Sequence, residues 1–245
     1  MTDDPAFALG EVEALVLKAY RGAGFSWGMA QEAGKAAAWL AAHRLPALNM
    51  FATLLAQTNG LCHRQLAPDI KADTWPDEWS SPSGLLCPVV AGTLLSDLAP
   101  VFAKKPAAVK FSSVQSALIL LPFIATLRSP AMLTFADLRV WLYRDVDNEA
   151  KDTGVVNNDV IHVEIIKDRS STTSVERQDV FLAFDERFDA GFDERTLLPA
   201  KVAAMRGAGT AESIALLEHL AHQTYVPATQ ASRESGAGAG LNDDD

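Results

Sequence analysis

Arg21-Gly22-Ala23-Gly24-Phe25-Ser26-Trp27-Gly28 concentrates more chemically suggestive residues than any other stretch of this 245-residue chain. Gly24 to Gly28 spells G-x-S-x-G, the pattern of a serine nucleophile held on a sharp turn between a buried strand and a helix. That geometry needs a short β-branched run ahead of the serine. Instead Leu9, Val12, Leu15, Val16, Ala19 and Tyr20 recur at helical spacing with Glu11, Glu13 and Lys18 between them, so an amphipathic helix precedes the turn. Gly22 is then read as the residue that ends this helix, and Ser26 as the cap of the next helix and not as a nucleophile. Gly22, Gly24 and Gly28 give G-x-G-x-x-x-G, one residue too long for a dinucleotide fingerprint and again placed after a helix. What remains is binding chemistry. Arg21, Trp27 and Glu32 flank this turn, and Tyr225 and Arg233 flank a second glycine-rich stretch at the end of the chain. A guanidinium pairs with carboxylate or phosphate, and glycine backbone and helix-start amides let an anion approach closely.

Other constellations are weaker. Five histidines are present, and Glu218-His219 with His222 sets two imidazoles at i, i+3 of one helix, to which His162 and Glu164 of a sheet face would add. No H-E-x-x-H occurs, and a wet helix edge explains the pair, so no metal and no cofactor are expected. Cys62-His63 are sequence neighbours whose side chains diverge in a regular helix or strand, and Cys87 has no local base. The acidic pairs Asp185-Glu186 and Asp193-Glu194 belong to a solvated face of an acidic chain.

The elements that must position these groups follow from periodicity. Residues 1–60 read as three helices: the one before the turn, an Ala-rich one with the narrow stripe Met29, Ala33, Ala36, Ala37 and Leu40, and a third carrying Leu48, Phe51, Leu54 and Leu55. Residues 61–84 lose the period and hold Pro68, Pro76, Pro82, Trp75 and Trp79, an irregular surface excursion whose tryptophans would cover a cleft or a neighbouring subunit. Pro88 opens a fourth helix ending before Pro100. Strands are then expected at residues 111–116, 117–125, 138–143, 160–167 and 175–183, with residues 168–173 as a hairpin loop between the last two. Thr210 caps a final helix with the stripe Ile214, Leu217, Leu220 and Ala221. The expected fold is α+β in a single domain: a helical unit (1–60), a loop (61–84), a body with a mainly antiparallel sheet (85–231), and a glycine-rich acidic tail (232–245) packed back on it.

Composition bounds the function classes. The chain is 49% hydrophobic, 21% charged, and carries a net charge of −10 with no run of Lys and Arg, which argues against nucleic acid as partner. The most apolar run, about 11 residues around Pro122, is half of what a membrane span needs. An acidic start, Met1-Thr2-Asp3-Asp4-Pro5, lacks the pattern of a signal peptide, so a cytoplasmic location with two reduced thiols is expected.

The turn from Arg21 to Gly28, the Leu86-Cys87-Pro88 step, Tyr225-Val226-Pro227-Ala228 and Gly236-Ala237-Gly238-Ala239-Gly240 with its acidic end resemble an uncharacterised family of bacterial proteins of about this length. The resemblance covers most of the chain and carries no activity. Two functional classes stay open: an enzyme or enzyme subunit acting on a small anionic metabolite, and a non-catalytic protein that binds a partner through its tail and tryptophan loop. Self-association is expected through the small-residue helix face or through Trp75 and Trp79.

Overall fold

The computed structural model of the chain describes residues 6–70, 77–104, 108–127, 129–136, 138–144, 161–167, 178–184, 195–197 and 206–224. A short strand β1 (Ala6–Ala8) leads into α1 (Leu9–Gly22), followed by α2 (Trp27–Ala42), α3 (Ala47–Thr58) and the single turn α4 (His63–Leu66). The α1 stripe Val12, Val16, Ala19 and Tyr20 is fully buried. It meets the small-residue stripe of α2 at close range, where a Cβ on Gly34 would stand 2.8 Å from the carbonyl oxygen of Glu13. Ala33, Ala36 and Ala37 are thereby consumed inside the chain. Close packing of this kind is what a small-residue face permits, and it uses up the surface that the sequence nominates for self-association.

The sheet begins at β2 (Glu78–Trp79) and β3 (Val109–Val114), continues with β4 (Ala131–Phe135), β5 (Leu138–Arg144), β6 (Ile161–Lys167) and β7 (Gln178–Ala183), and ends at β8 (Arg195–Leu197). Its order is β2-β3-β7-β4-β5-β6-β8, parallel at β2/β3 and antiparallel elsewhere. One face is apolar: Phe111, Ala131, Leu133, Val140, Val180 and Leu182 are buried beneath α5 (Pro88–Asp97), α6 (Ala99–Lys104) and α7 (Leu121–Ile124), which contribute Leu95, Phe102, Leu121 and Ile124. The opposite face carries Thr134, Arg139, Asp179 and Phe181. A sheet covered by helices on one side and wet on the other is the α+β arrangement expected from the alternating strands. β9 (Arg206–Ala208) pairs antiparallel with β1, and α8 (Ala211–His222), capped by the Thr210 hydroxyl, packs on α1 and α3. Trp39 and Leu45 pack against both the helical core and the sheet core.

Several expectations are corrected. Residues 117–125 do not form a strand: Ala117–Leu120 and Ala125–Leu127 are 3-10 turns flanking α7. A continuous apolar run buried on all sides does not reveal its period, and Pro122 fits the first turn of a helix better than a central strand. The strand nearby is β4, which forms a hairpin with β5. β6 and β7 are not hairpin partners either, since β6 pairs with β5 and β8 while β7 sits between β3 and β4. Trp79 is not a surface residue: it is 1% exposed and meets Phe111 edge-on with ring centroids 5.2 Å apart. Trp75 lies outside the described residues.

Candidate functional site

α1 ends in a closed C-terminal motif. The amide of Gly24 donates to the Arg21 carbonyl at 3.0 Å and that of Phe25 to the Tyr20 carbonyl at 3.0 Å, while the Tyr20 and Phe25 rings pack with centroids 4.8 Å apart. This is the double hydrogen bond and apolar clasp of a Schellman termination, which demands a left-handed residue at the position of Gly24. Gly24 has φ +92, so the left-handed glycine is Gly24 and not Gly22. Gly22 serves a different end. A Cβ there would stand 1.7 Å from the carbonyl oxygen of Leu220, so its bare backbone is what lets α8 cross α1.

The chain then rises through Phe25 into α2. Ser26 is extended, exposed, and its hydroxyl accepts from the Met29 amide at 3.3 Å. It caps the helix, and the element ahead of it is α1, so the strand-turn-helix setting of a nucleophile is missing. The Arg21 guanidinium donates to the Phe25 carbonyl and lies 4.7 Å from the centre of the Trp27 ring, which is 62% exposed. Both interactions hold the turn together. Arg21 and Trp27 are thus brought together as the sequence suggests, with Arg21 directed at the backbone. Glu32 is not part of the cluster: its carboxylate pairs with Lys35 at 2.8 Å along the exposed side of α2. Tyr225 and Arg233 lie outside the described residues, which end at Thr224, next to the Gln223 side chain that borders Gly22.

Against this turn opens a cleft of about 400 Å³ lined by Ala23, Gly24, Phe25, Ser26, Met29, Leu61, Cys62 and His63. Among the described residues no carboxylate lines it, in a chain of net charge −10. Cys62 and His63, which a regular element would turn apart, both reach the cleft. They straddle the start of α4, Cys62 as its extended N-cap and His63 as its first residue, and the Cys62 amide donates to the Gln65 side chain at 3.0 Å. The signal for this was the spacing of Cys62 and Gln65, a capping-box offset just after Asn59-Gly60. Cys62 is a free, exposed thiol.

Behind the Phe25 wall lies an unusual pair. The Tyr20 hydroxyl is buried with no hydrogen-bond partner among the described residues, and burial, with a smaller contribution from Cys87, pushes its phenol well above the ordinary range. Cys87 is itself fully buried, and burial pushes its thiol up to about 11. On α8, Glu218, His219 and His222 are all exposed, and among the described residues no three His, Cys, Asp or Glu side chains gather as a metal site. Among the same residues no helix is long and apolar enough to cross a membrane.

The comparisons with known proteins assign no activity. No curated protein matches the chain. One of the solved structures that match is malate dehydrogenase from Entamoeba histolytica, at 12% identity and a TM-score of 0.41, with 74% of this chain and 50% of that one covered. The chain therefore spans about half the length of that enzyme. Residues 7–101 match a family described as "Protein of unknown function (DUF3726)". That span runs from β1 into α6, so the chain is similar to an uncharacterised family through the whole helical unit, the glycine turn and both walls of the cleft.

Proposed function

We propose that the cleft at the glycine turn binds a small anion, and that the protein is a cytoplasmic enzyme or enzyme subunit acting on a small anionic metabolite. The observation that carries this reading is the start of α2 opening, through Gly24 and Ser26, onto a cleft that no carboxylate among the described residues lines, in a strongly acidic chain. The 16-residue α2 sets the positive end of its dipole at that point, with Met29 on the cleft wall and its amide held by the Ser26 hydroxyl. His63 and the Cys62 thiol face the same space and supply a proton donor and a nucleophile to whatever is bound there. Arg21 acts as a positioning residue, fixing the Phe25 carbonyl so that the turn keeps its shape. The reading treats the chain as one domain, which the sharing of Trp39 and Leu45 by both cores supports.

Isothermal titration with phosphate, oxalate and malonate, against sodium chloride at matched ionic strength, tests the reading. Saturable binding of at least one of them with a Kd of about 1 mM or tighter is expected. A flat response to all three at protein concentrations near that value would remove the proposal. A second reading, partner binding or self-association, has its own support in the 62% exposure of Trp27 beside the cleft. It predicts that Trp27→Ser lowers the mass seen by light scattering or loses a captured protein, whereas the anion reading predicts neither.

A further inference from the structure

Phe25 forms part of the wall of the cleft at the glycine turn, and against its ring lies that of Tyr20, fully buried, with centroids 4.8 Å apart. The Tyr20 hydroxyl has no hydrogen-bond partner among the described residues. A core hydroxyl left dry costs stability, and folded proteins keep few of them. The other side of this hydroxyl is placed as well. Cys87 is close enough to oppose ionisation of the phenol, and the Cys87 amide donates to the Leu66 carbonyl at 3.2 Å. Leu66 closes α4, the turn that begins with Cys62 and His63 of the opposite cleft wall. The hydroxyl therefore sits between the two elements that form the cleft, one ring layer beneath it.

Cys87 does not satisfy it. The Cys87 sulfur takes the Val89 and Val90 amides at the start of α5, and burial pushes the thiol up to about 11, so it stays protonated. Phe25 is what separates the hydroxyl from the cleft, and its backbone is fixed at both ends: its amide donates to the Tyr20 carbonyl and its carbonyl accepts from Arg21. Opening this wall is thus a rotation of one side chain and not a movement of the turn, and the space beside the neighbouring Gly24 is open. The chemistry missing beneath Phe25 is one acceptor. Burial holds the phenol well above its ordinary range, so Tyr20 remains a donor, and the groups around it, Phe25, Phe51 and Cys87, are uncharged. A carboxylate is costly in such a place, whereas a carbonyl oxygen that receives a hydrogen bond is not.

We propose that the cleft continues past Phe25 into a second subsite, where the Tyr20 hydroxyl donates to the carbonyl oxygen of a small oxo acid whose carboxylate stays at the start of α2. This rests on the anion reading of the cleft and narrows its ligand class to acids that carry a carbonyl set back along a short apolar chain. Tyr20 recognises the ligand and takes no part in a reaction. Isothermal titration of the wild type and of Tyr20→Phe with phosphate, 4-oxopentanoate and pentanoate tests it, pentanoate being the same chain without the carbonyl oxygen. The wild type is expected to bind 4-oxopentanoate about tenfold more tightly than pentanoate, and Tyr20→Phe to bring the two within twofold while phosphate binds both proteins alike. Equal binding of the two acids by the wild type would overturn the subsite, as would a preference that survives in Tyr20→Phe. In either case a saturable phosphate response would leave the proposed function standing. A flat response of both proteins to all three compounds would remove the proposed function, and the subsite with it.

Discussion

Tyr20 and Arg44 are two of the residues at which local chemistry works against stability. The Tyr20 hydroxyl is buried without a partner among the described residues, and an unsatisfied buried hydroxyl costs about 1–3 kcal/mol. Tyr20→Phe keeps the ring contacts with Phe25 and Phe51 and removes the hydroxyl, so it is expected to raise the melting midpoint by a few degrees in a scanning experiment. A lower midpoint would show that the hydroxyl is engaged. Arg44 occupies the left-handed position that closes α2, at φ 59, with the Leu45 amide bonded to the Leu40 carbonyl at 3.0 Å just as Phe25 bonds Tyr20 at the end of α1. Where α1 uses glycine, α2 uses arginine, so Arg44→Gly is expected to add about 0.5–1 kcal/mol, measured by urea denaturation at constant m. At this scale the sequence was readable where two helical periods met, which is why Ser26 was identified as a cap. It was not readable at Gly22, because a glycine that admits a neighbouring carbonyl and a glycine that turns the chain look alike in one dimension. That Cys62 and His63 line one cleft was hidden for a related reason: projection rules for regular elements do not hold at a cap.

The helices and strands were readable wherever one face was wet. α1, α3, β5 and β7 alternate or recur cleanly because each has a polar side, whereas residues 117–125 are apolar throughout and gave no period. Pairing was less accessible than existence, since the partners of β6 and β7 are set by the order of a seven-stranded sheet and not by the loop between them. The wet edge of that sheet carries a further device. Lys110 bridges Glu78 and Asp179, at 3.1 Å each, around the bulge where Ser113 takes φ 56 and donates its amide to Asp179 at 3.1 Å. Hydrogen bonds from Ser112 and then Lys110 hold the Glu78 carboxyl below its ordinary range, and those from the Ser113 amide and then Lys110 do the same for Asp179. Depressed carboxylate values mean that their stabilisation is present above the unfolded value of about 4 and is lost as pH falls through the folded values. Lys110 is raised, by Asp179 and then Glu78, so its share is present below the ordinary lysine range and is lost only as pH rises through the folded value. Lys110→Met is therefore expected to flatten the loss of stability below about pH 4 while leaving its shape between pH 6 and 9 unchanged, read from melting midpoints across pH. An unchanged acid limb would show that the trio is too solvated to matter.

Over the whole molecule the charge is distributed unevenly in a way that composition hides. A net charge of −10 describes the chain as a whole and says nothing of a small cleft, and among the described residues no carboxylate lines the cleft beside the glycine turn. The turn was visible in the sequence as a place where chemistry could happen. Its opposite wall was not, since Leu61, Cys62 and His63 are brought there by the return of the chain after α3. Ser26→Asp separates binding from folding at this site, because aspartate caps a helix as well as serine does and also favours the helix dipole, yet it sets a negative charge at the cleft mouth. The most direct measurement is the rise in melting midpoint with added phosphate or oxalate, at constant ionic strength, for the wild type and for Ser26→Asp. The account requires a saturable rise in the wild type, and in the variant an equal or higher midpoint without anion together with no rise on its addition. An identical anion-dependent rise in both proteins, or none in either, would contradict it.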